Sequence, residues 1–193
     1  AALALTPEEL SGLGPMQVSD DAMVPLGPLQ LPLRKGMILR TADQVILYTL
    51  STYLPQQRAV TFGVSSGRGS WLGLDDYLVF RGLVFKVVPR ADTMRTWLNG
   101  VQGTMVDSAT TRILADSVFR YGKMFAVDSL VLEPAAQQVA SSFSMPFIEL
   151  GNAAALRGDQ HETSARLRQA YHLNPNRALQ EVIRRVETEG VQS

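Results

Sequence analysis

The run Gly63-Val64-Ser65-Ser66-Gly67 has the G-x-S-x-G form of a nucleophile elbow, and it follows a β-branched, aromatic stretch, Arg58 to Val64, that reads as a strand. Asp75 and Asp76, then His161 and His172, come after it in the chain order used by α/β hydrolases. A serine hydrolase is therefore the sharpest chemistry that the residue types allow. An elbow of that kind needs a helix directly behind the serine to stabilise the oxyanion, and here Gly67-Arg68-Gly69-Ser70 intervenes. Both histidines also fall in a polar helical segment where surface residues are expected. The expectation is a chain without a catalytic residue of its own.

Other site chemistries fare no better. The Gly-rich stretch 67–73 lacks the Gly-Lys-Ser/Thr ending of a phosphate-cradling loop, and no G-x-G-x-x-G opens a helix, so no nucleotide cofactor is expected. A connection pinned to the core by Trp71 and Leu72 accounts for it. Asp75 and Asp76 could work as acid and base or hold a metal, but adjacent residues point to different sides of a helix, and acids in a first turn suit the helix dipole. Capping is the role expected of them. His161 and His172 stand eleven apart, which is not a zinc-ligand spacing, and the absence of cysteine excludes disulfides, thiolate catalysis and thiolate-rich zinc sites.

Eighteen basic residues balance eighteen acidic ones, which removes the electrostatic footprint of a nucleic-acid binder. The closest basic pairs, Arg34 with Lys35 and Arg184 with Arg185, read as solvated faces. Apolar residues at 46% and charged residues at 19% suit a chain that folds. The longest apolar stretch, Val45 to Leu54, carries Thr49, Ser51 and Thr52 and is about half a spanning length, so no direct membrane span is expected. The opening Ala-Ala-Leu-Ala-Leu has neither Met nor a basic leader, which implies a removed signal or anchor, or further residues upstream.

The expected fold class is α/β, a small sheet with crossover helices, followed by an all-α helical hairpin and capping helix. The expected domains are a small α/β domain over 1–90, a connection over 91–103 and a helical region over 104–193. Pro7, Pro15, Pro25, Pro28 and Pro32 forbid long early helices, though Thr6-Pro7-Glu8-Glu9 starts a short one through Leu10. Gly27 to Leu33 looks extended, and Met37 to Arg40 reads as a short strand. Thr41 to Gln44 opens an amphipathic helix that Pro55 ends. A strand at Arg58 to Val64, a short helix near Asp75 to Phe80 and a strand at Leu83 to Val88 favour a parallel pair with a right-handed crossover. From Thr104 onward strand signals vanish, and Ile113, Leu114, Val118 and Phe119 fall at helical spacing before Gly122.

Phe147, Leu150, Gly151, Ala154, Gly158, Leu167, Ala170 and Pro175 match the spacing of one tetratricopeptide-like repeat over 144–177, with departures at Gln160 and Thr163 that weaken its packing. Gly151 and Ala170 let two helices approach, and Leu150 and Leu167 fill the seam. Asn176 caps a further helix on which Leu179, Val182, Ile183 and Val186 recur at i, i+3, i+4, i+7. Before the repeat, Pro134 to Phe143 forms a helix that Pro146 breaks or kinks.

Leu72-Gly73-Leu74-Asp75-Asp76-Tyr77-Leu78, followed by Arg81-Gly82-Leu83-Val84-Phe85-Lys86-Val87-Val88-Pro89, resembles the extracytoplasmic C-terminal region of bacterial protein O-mannosyltransferase-like membrane proteins. A Thr-Pro-Glu-Glu-Leu opening, a helix at Asp43 to Leu54, a strand at Ala59 to Gly63 and a following repeat-like region fit the same resemblance. It spans most of the chain and is loosest from Arg90 to Phe143. In that family, glycosyl transfer belongs to a multi-spanning membrane part and its acidic loops, absent here, so no catalytic residue carries over.

The resemblance implies a location at the extracytoplasmic, periplasmic face of a bacterial membrane and an accessory role. Two functions follow. One is a non-catalytic structural subunit that docks on a larger integral-membrane complex, for instance photosynthetic or respiratory. The other is the soluble acceptor-binding region of a membrane O-mannosyltransferase-like glycosyltransferase. The first is preferred, since Ser193 follows soon after a capping helix and that end reads as complete. Trp71, Tyr77 and Trp97, large amphipathic side chains of the kind enriched at interfaces, are the candidate partner-binding residues.

Overall fold

The computed structural model describes residues 12–88, 98–99, 105–127 and 132–191. The expected helix at Thr6 to Leu10, most of the connection after Pro89, and Trp97 lie outside them. Among the described residues the chain combines small sheets with six α-helices and ends in a helical region. It divides into two compact units, one of residues 1–62, 66–77 and 86–91, the other of 63–65, 78–85 and 92–193.

In the first unit β1 (Met16–Gln17) pairs antiparallel with β4 (Ile38–Leu39), and β2 (Ala22–Leu26) pairs antiparallel with β3 (Leu29–Leu33). The proline-studded stretch that looked extended thus folds into a hairpin. Leu29, Leu31 and Leu33 are buried while Gln30 and Pro32 are exposed, the period of two that a one-sided strand requires. Pro25 stands opposite Gln30 and Pro32 opposite Met23. With Leu26 and Leu29 as the hydrogen-bonded pair that closes a two-residue loop, both prolines fall at non-hydrogen-bonded positions, where neither removes a ladder bond.

The loop itself is Gly27-Pro28, with Gly27 at φ 65, the glycine-first form of a type II′ turn. A Cβ on Gly27 would stand 3.0 Å from the Pro55 nitrogen and 3.2 Å from the Leu54 carbonyl carbon, so backbone presses on backbone. Gly27→Ala therefore meets both left-handed strain and a clash. It is expected to cost about 1–3 kcal/mol, read as a lowered urea midpoint.

Helix α1 (Thr41–Tyr53) lies where expected, but its N-cap is Arg40 and not Thr41, the Asp43 carboxylate accepting from the Arg40 N–H at 2.8 Å. Thr41 Oγ1 donates to the Leu13 carbonyl at 2.7 Å and Gln44 Nε2 to that of Gly14 at 2.8 Å, tying the helix to the segment ahead of β1. Leu50 and Leu54 are buried, and the helix stops before Pro55.

Strands β5 (Thr61–Gly63), β6 (Leu78–Arg81), β7 (Val84–Val87), β8 (Leu98–Asn99) and β9 (Met105–Val106) form a sheet of order β5-β7-β6-β9-β8. The expected parallel pair of β5 and β7 is overturned. Val87 N–H donates to the Val60 carbonyl at 2.9 Å and Val64 N–H to that of Leu83 at 3.1 Å, and pairing partners that move in opposite directions along the chain mean antiparallel strands. The expected helix at Asp75 to Phe80 is also corrected. Only the 3-10 turn Asp75–Tyr77 lies there, because Leu78 to Phe80 are drawn into β6 as buried strand residues.

In the second unit β6 and β7 meet at Gly82-Leu83, with Gly82 at φ 65. A Cβ on Gly82 would stand 2.8 Å from Leu114 Cδ1, and its N–H donates to the buried Thr111 Oγ1 at 3.1 Å. The parallel contact of the sheet is β6 with β9, Val79 opposite Met105 and Phe80 opposite Val106, while β8 runs antiparallel to β9. A strand thus does exist beyond Thr104. At two residues it is too short to leave an alternation in the sequence.

Asp107 caps α2 (Ser108–Ile113), accepting from the Thr110 N–H at 3.0 Å and hydroxyl at 2.8 Å, and a π turn over Leu114–Val118 continues it. The wider turn, closed by Phe119 N–H to the Leu114 carbonyl at 2.8 Å, rotates the following side chains. Of the apolar residues at helical spacing here, Ile113 and Val118 are 61% and 55% exposed. After α3 (Gly122–Phe125) come α4 (Pro134–Ala155), α5 (Gln160–Leu173) and α6 (Arg177–Glu189). The expected break at Pro146 does not occur, since α4 runs through it unbroken. Pro146, Phe147 and Leu150 are buried, so packing outweighs the lost backbone bond to the Ser142 carbonyl.

Candidate functional site

The residues of the hydrolase order are not gathered into a relay. Ser65 is exposed, and its Oγ lies 3.6 Å from where a Gly63 Cβ would be, folded back along its own strand end. A 3-10 turn, not a helix, follows it. His161 is exposed in the first turn of α5. His172 Nε2 lies 2.8 Å from the Met124 carbonyl, its ring 5.5 Å from that of Phe125. No hydrogen bond joins Ser65 to either histidine among the described residues. Asp75 and Asp76 are exposed on their 3-10 turn. Among the described residues no three His, Cys, Asp or Glu side chains converge as a metal site.

Of the candidate partner-binding residues, Trp71 is buried, at 4% exposure, with Nε1 3.4 Å from Ser66 Oγ. Tyr77 is half-buried on the 3-10 turn, and its carbonyl accepts from the Val88 N–H at 2.8 Å. Trp97 lies outside the described residues.

The organised polar chemistry of the second unit is on α5. Asp159 caps the helix, accepting from the Glu162 N–H at 2.9 Å, and this first turn aims the Glu162 carboxylate at three arginines. Arg112 reaches it at 2.6 Å, Arg157 at 2.9 Å and Arg166 at 3.6 Å. Burial alone raises the Glu162 pKa, but the hydrogen bond and charge of Arg112, with the charges of Arg157 and Arg166, bring it below its ordinary value of 4.5. Arg166 also forks onto Asp116 of the π turn at 2.6 and 2.7 Å, and that hydrogen bonding holds Asp116 below its ordinary 3.8. The network joins α2 and the π turn to α5. Arg112 with Asp116 and Glu162 with Arg166 are i, i+4 pairs readable in the sequence, but their cross-helix partners are not.

The opposite side of α5 forms an open groove of about 580 Å³ with α6, lined by Gln160, His161, Ser164, Arg168 and Glu187 among others. Glu187 accepts from the Ser164 hydroxyl at 2.7 Å and from Arg168 Nε at 2.8 Å, and Gln160 Nε2 donates to the Val186 carbonyl at 2.8 Å. Ser164 is thus bonded straight to a carboxylate with no imidazole between. The groove offers a pre-oriented polar surface whose charges are already matched.

No family model, no curated protein and no solved structure matches the chain.

Proposed function

We propose that the chain is a non-catalytic contact module, an accessory subunit at the extracytoplasmic face of a bacterial membrane that docks on a larger integral-membrane complex. The observation that supports it most is the seam of the helical region. Phe147, Leu150, Ala154, Leu167 and Ala170 are all buried, and a Cβ on Gly151 would stand 3.1 Å from Leu167, which is the packing a tetratricopeptide-like unit needs. Thr163, at a departure from that pattern, is buried with its hydroxyl donated to the Asp159 carbonyl at 2.6 Å, so the hairpin closes there too. Helix α6, capped by Asn176 Oδ1 on the Leu179 N–H at 2.9 Å, covers the stack with Leu179 and Ile183 and turns charged residues outward.

The resemblance over Leu72 to Pro89 supports the location, and its residues have scaffold duties. Leu72, Leu74, Leu78, Phe80, Phe85 and Val87 are buried, and Gly82 sits where a side chain would meet Leu114. The same resemblance keeps a second reading, the acceptor-binding region of a larger O-mannosyltransferase-like protein. Affinity purification from detergent-solubilised native membranes tests the proposal. It is expected to yield a membrane complex at fixed stoichiometry; recovery only as a free monomer counts against it. An upstream reading frame for many spanning helices in the same gene would favour the second reading.

A further inference from the structure

The first unit holds a pocket of about 270 Å³ whose chemistry differs from that of the helical groove. Pro28, Leu54 and Val87 give it an apolar lining, Arg58 and Lys86 add two cations, and among the described residues no acidic one lines it. Neither cation makes an ion pair with a described residue. Its walls are fixed: the Gly27-Pro28 turn is pressed on Leu54 and Pro55, and Gln57, at φ 57, reverses the chain after α1. That reversal is held by Gln57 N–H to the Leu54 carbonyl at 3.0 Å and Arg58 N–H to that of Tyr53 at 3.1 Å. It sets the Arg58 guanidinium 5.6 Å from the centroid of the Tyr53 ring, where stacking limits its freedom before anything binds. A non-glycine residue in the left-handed region is the kind of local strain that persists where surrounding structure enforces it.

We propose that this pocket recognises a carboxylate on an apolar stem, presented by a partner polypeptide either as its C-terminal residue or as an acidic side chain beside an apolar one. Charge complementarity carries the assignment, because two unmatched cations over an apolar lining suit an anion that also has hydrocarbon to bury. A volume near 270 Å³ suits one such residue, not an extended ligand. The proposal deepens the contact-module reading and rests on it.

The test is a titration of the isotope-labelled full chain, followed by amide chemical shifts, with N-acetyl-Ala-Leu as free acid, the same peptide as C-terminal amide, N-acetyl-Leu-Glu amide and sodium acetate. The free acid or the Glu peptide is expected to shift the amides of Gln57 to Ala59 and Lys86 to Val88, and which one does so identifies the source of the carboxylate. Lys86→Gln and Arg58→Gln are each expected to weaken that binding about tenfold, while Lys86→Arg retains it. If a Gln variant fails to fold, rising salt on the unaltered chain is the equivalent test and must weaken binding. Equal shifts with the amide-capped Ala-Leu peptide, equal shifts with acetate, or no shifts at all would overturn the proposal and leave the two cations as a dressing of the helix end. Failure of probe binding with co-purification intact sinks the pocket alone, and the reverse result sinks the contact-module reading.

Discussion

Phe147→Ala is expected to lower the stability of the second unit by about 3–5 kcal/mol, the largest effect of any single truncation considered for this chain. Phe147 is 1% exposed and sits where three aromatic rings converge, with Tyr121 at 5.1 Å and Phe125 at 5.6 Å between centroids, both steeply inclined. Tyr121 in turn meets Phe119 and Phe143, so removing the Phe147 ring opens a cavity among α3, α4 and the connection ahead of α3. Burial pushes the Tyr121 phenol up to about 12. A cavity that admits water should bring that titration down, so absorbance of the phenolate gives a second readout beside the urea midpoint. A loss below about 1 kcal/mol with an unchanged phenol would mean that the aromatic cluster is not the centre of this unit.

Glu162→Gln is expected to cost about 2 kcal/mol at neutral pH and to flatten the acid limb of the stability profile. The sign follows from the two depressed carboxylates. Glu162 and Asp116 have folded pKa values below their ordinary 4.5 and 3.8, so the folded state holds fewer protons than the unfolded chain in that range. Their contribution is complete above the unfolded values and is lost as pH falls through the folded ones, beginning near about pH 5. The magnitude is kept modest because Arg112 and Arg157 are 43% and 38% exposed and partly screened. Denaturant midpoints of both proteins between pH 7 and pH 3 decide it. A variant whose profile stays parallel to that of the unaltered chain would show that the three arginines do not lean on this carboxylate.

What the residues disclose and what they hide divides along physical lines. Periodicity and caps carry the helical end well: Asp159 and Asn176 cap as their types suggest, and the seam from Phe147 to Ala170 is buried position by position. The same local rules fail where distant contacts decide. Pro146 is compatible with a continuous α4 because its burial against the packed seam compensates the missing donor. The direction of β5 against β7 depends on Leu78 to Phe80 becoming a strand, which no local propensity fixes. The π turn at Leu114 to Val118 leaves no composition signal, yet it carries Val118, which faces outward, and Asp116, which meets Arg166. The cationic pocket is equally hidden, since Arg58 and Lys86 stand far apart in the chain and neither belongs to a motif.

The two prolines of the β2–β3 hairpin set a limit on what the first unit can join. At non-hydrogen-bonded positions the backbone N–H and C=O groups point away from the partner strand, toward the free rim of each strand. Pro25 and Pro32 occupy one such position on β2 and one on β3, so each rim is missing a donor where a third strand would need it. Exposed Met23, 56% open, could otherwise seed strand-to-strand growth. Each rim of the hairpin thus carries one position that cannot donate, which hinders a third strand from pairing along it and makes the two-stranded element a poorer template for aggregation.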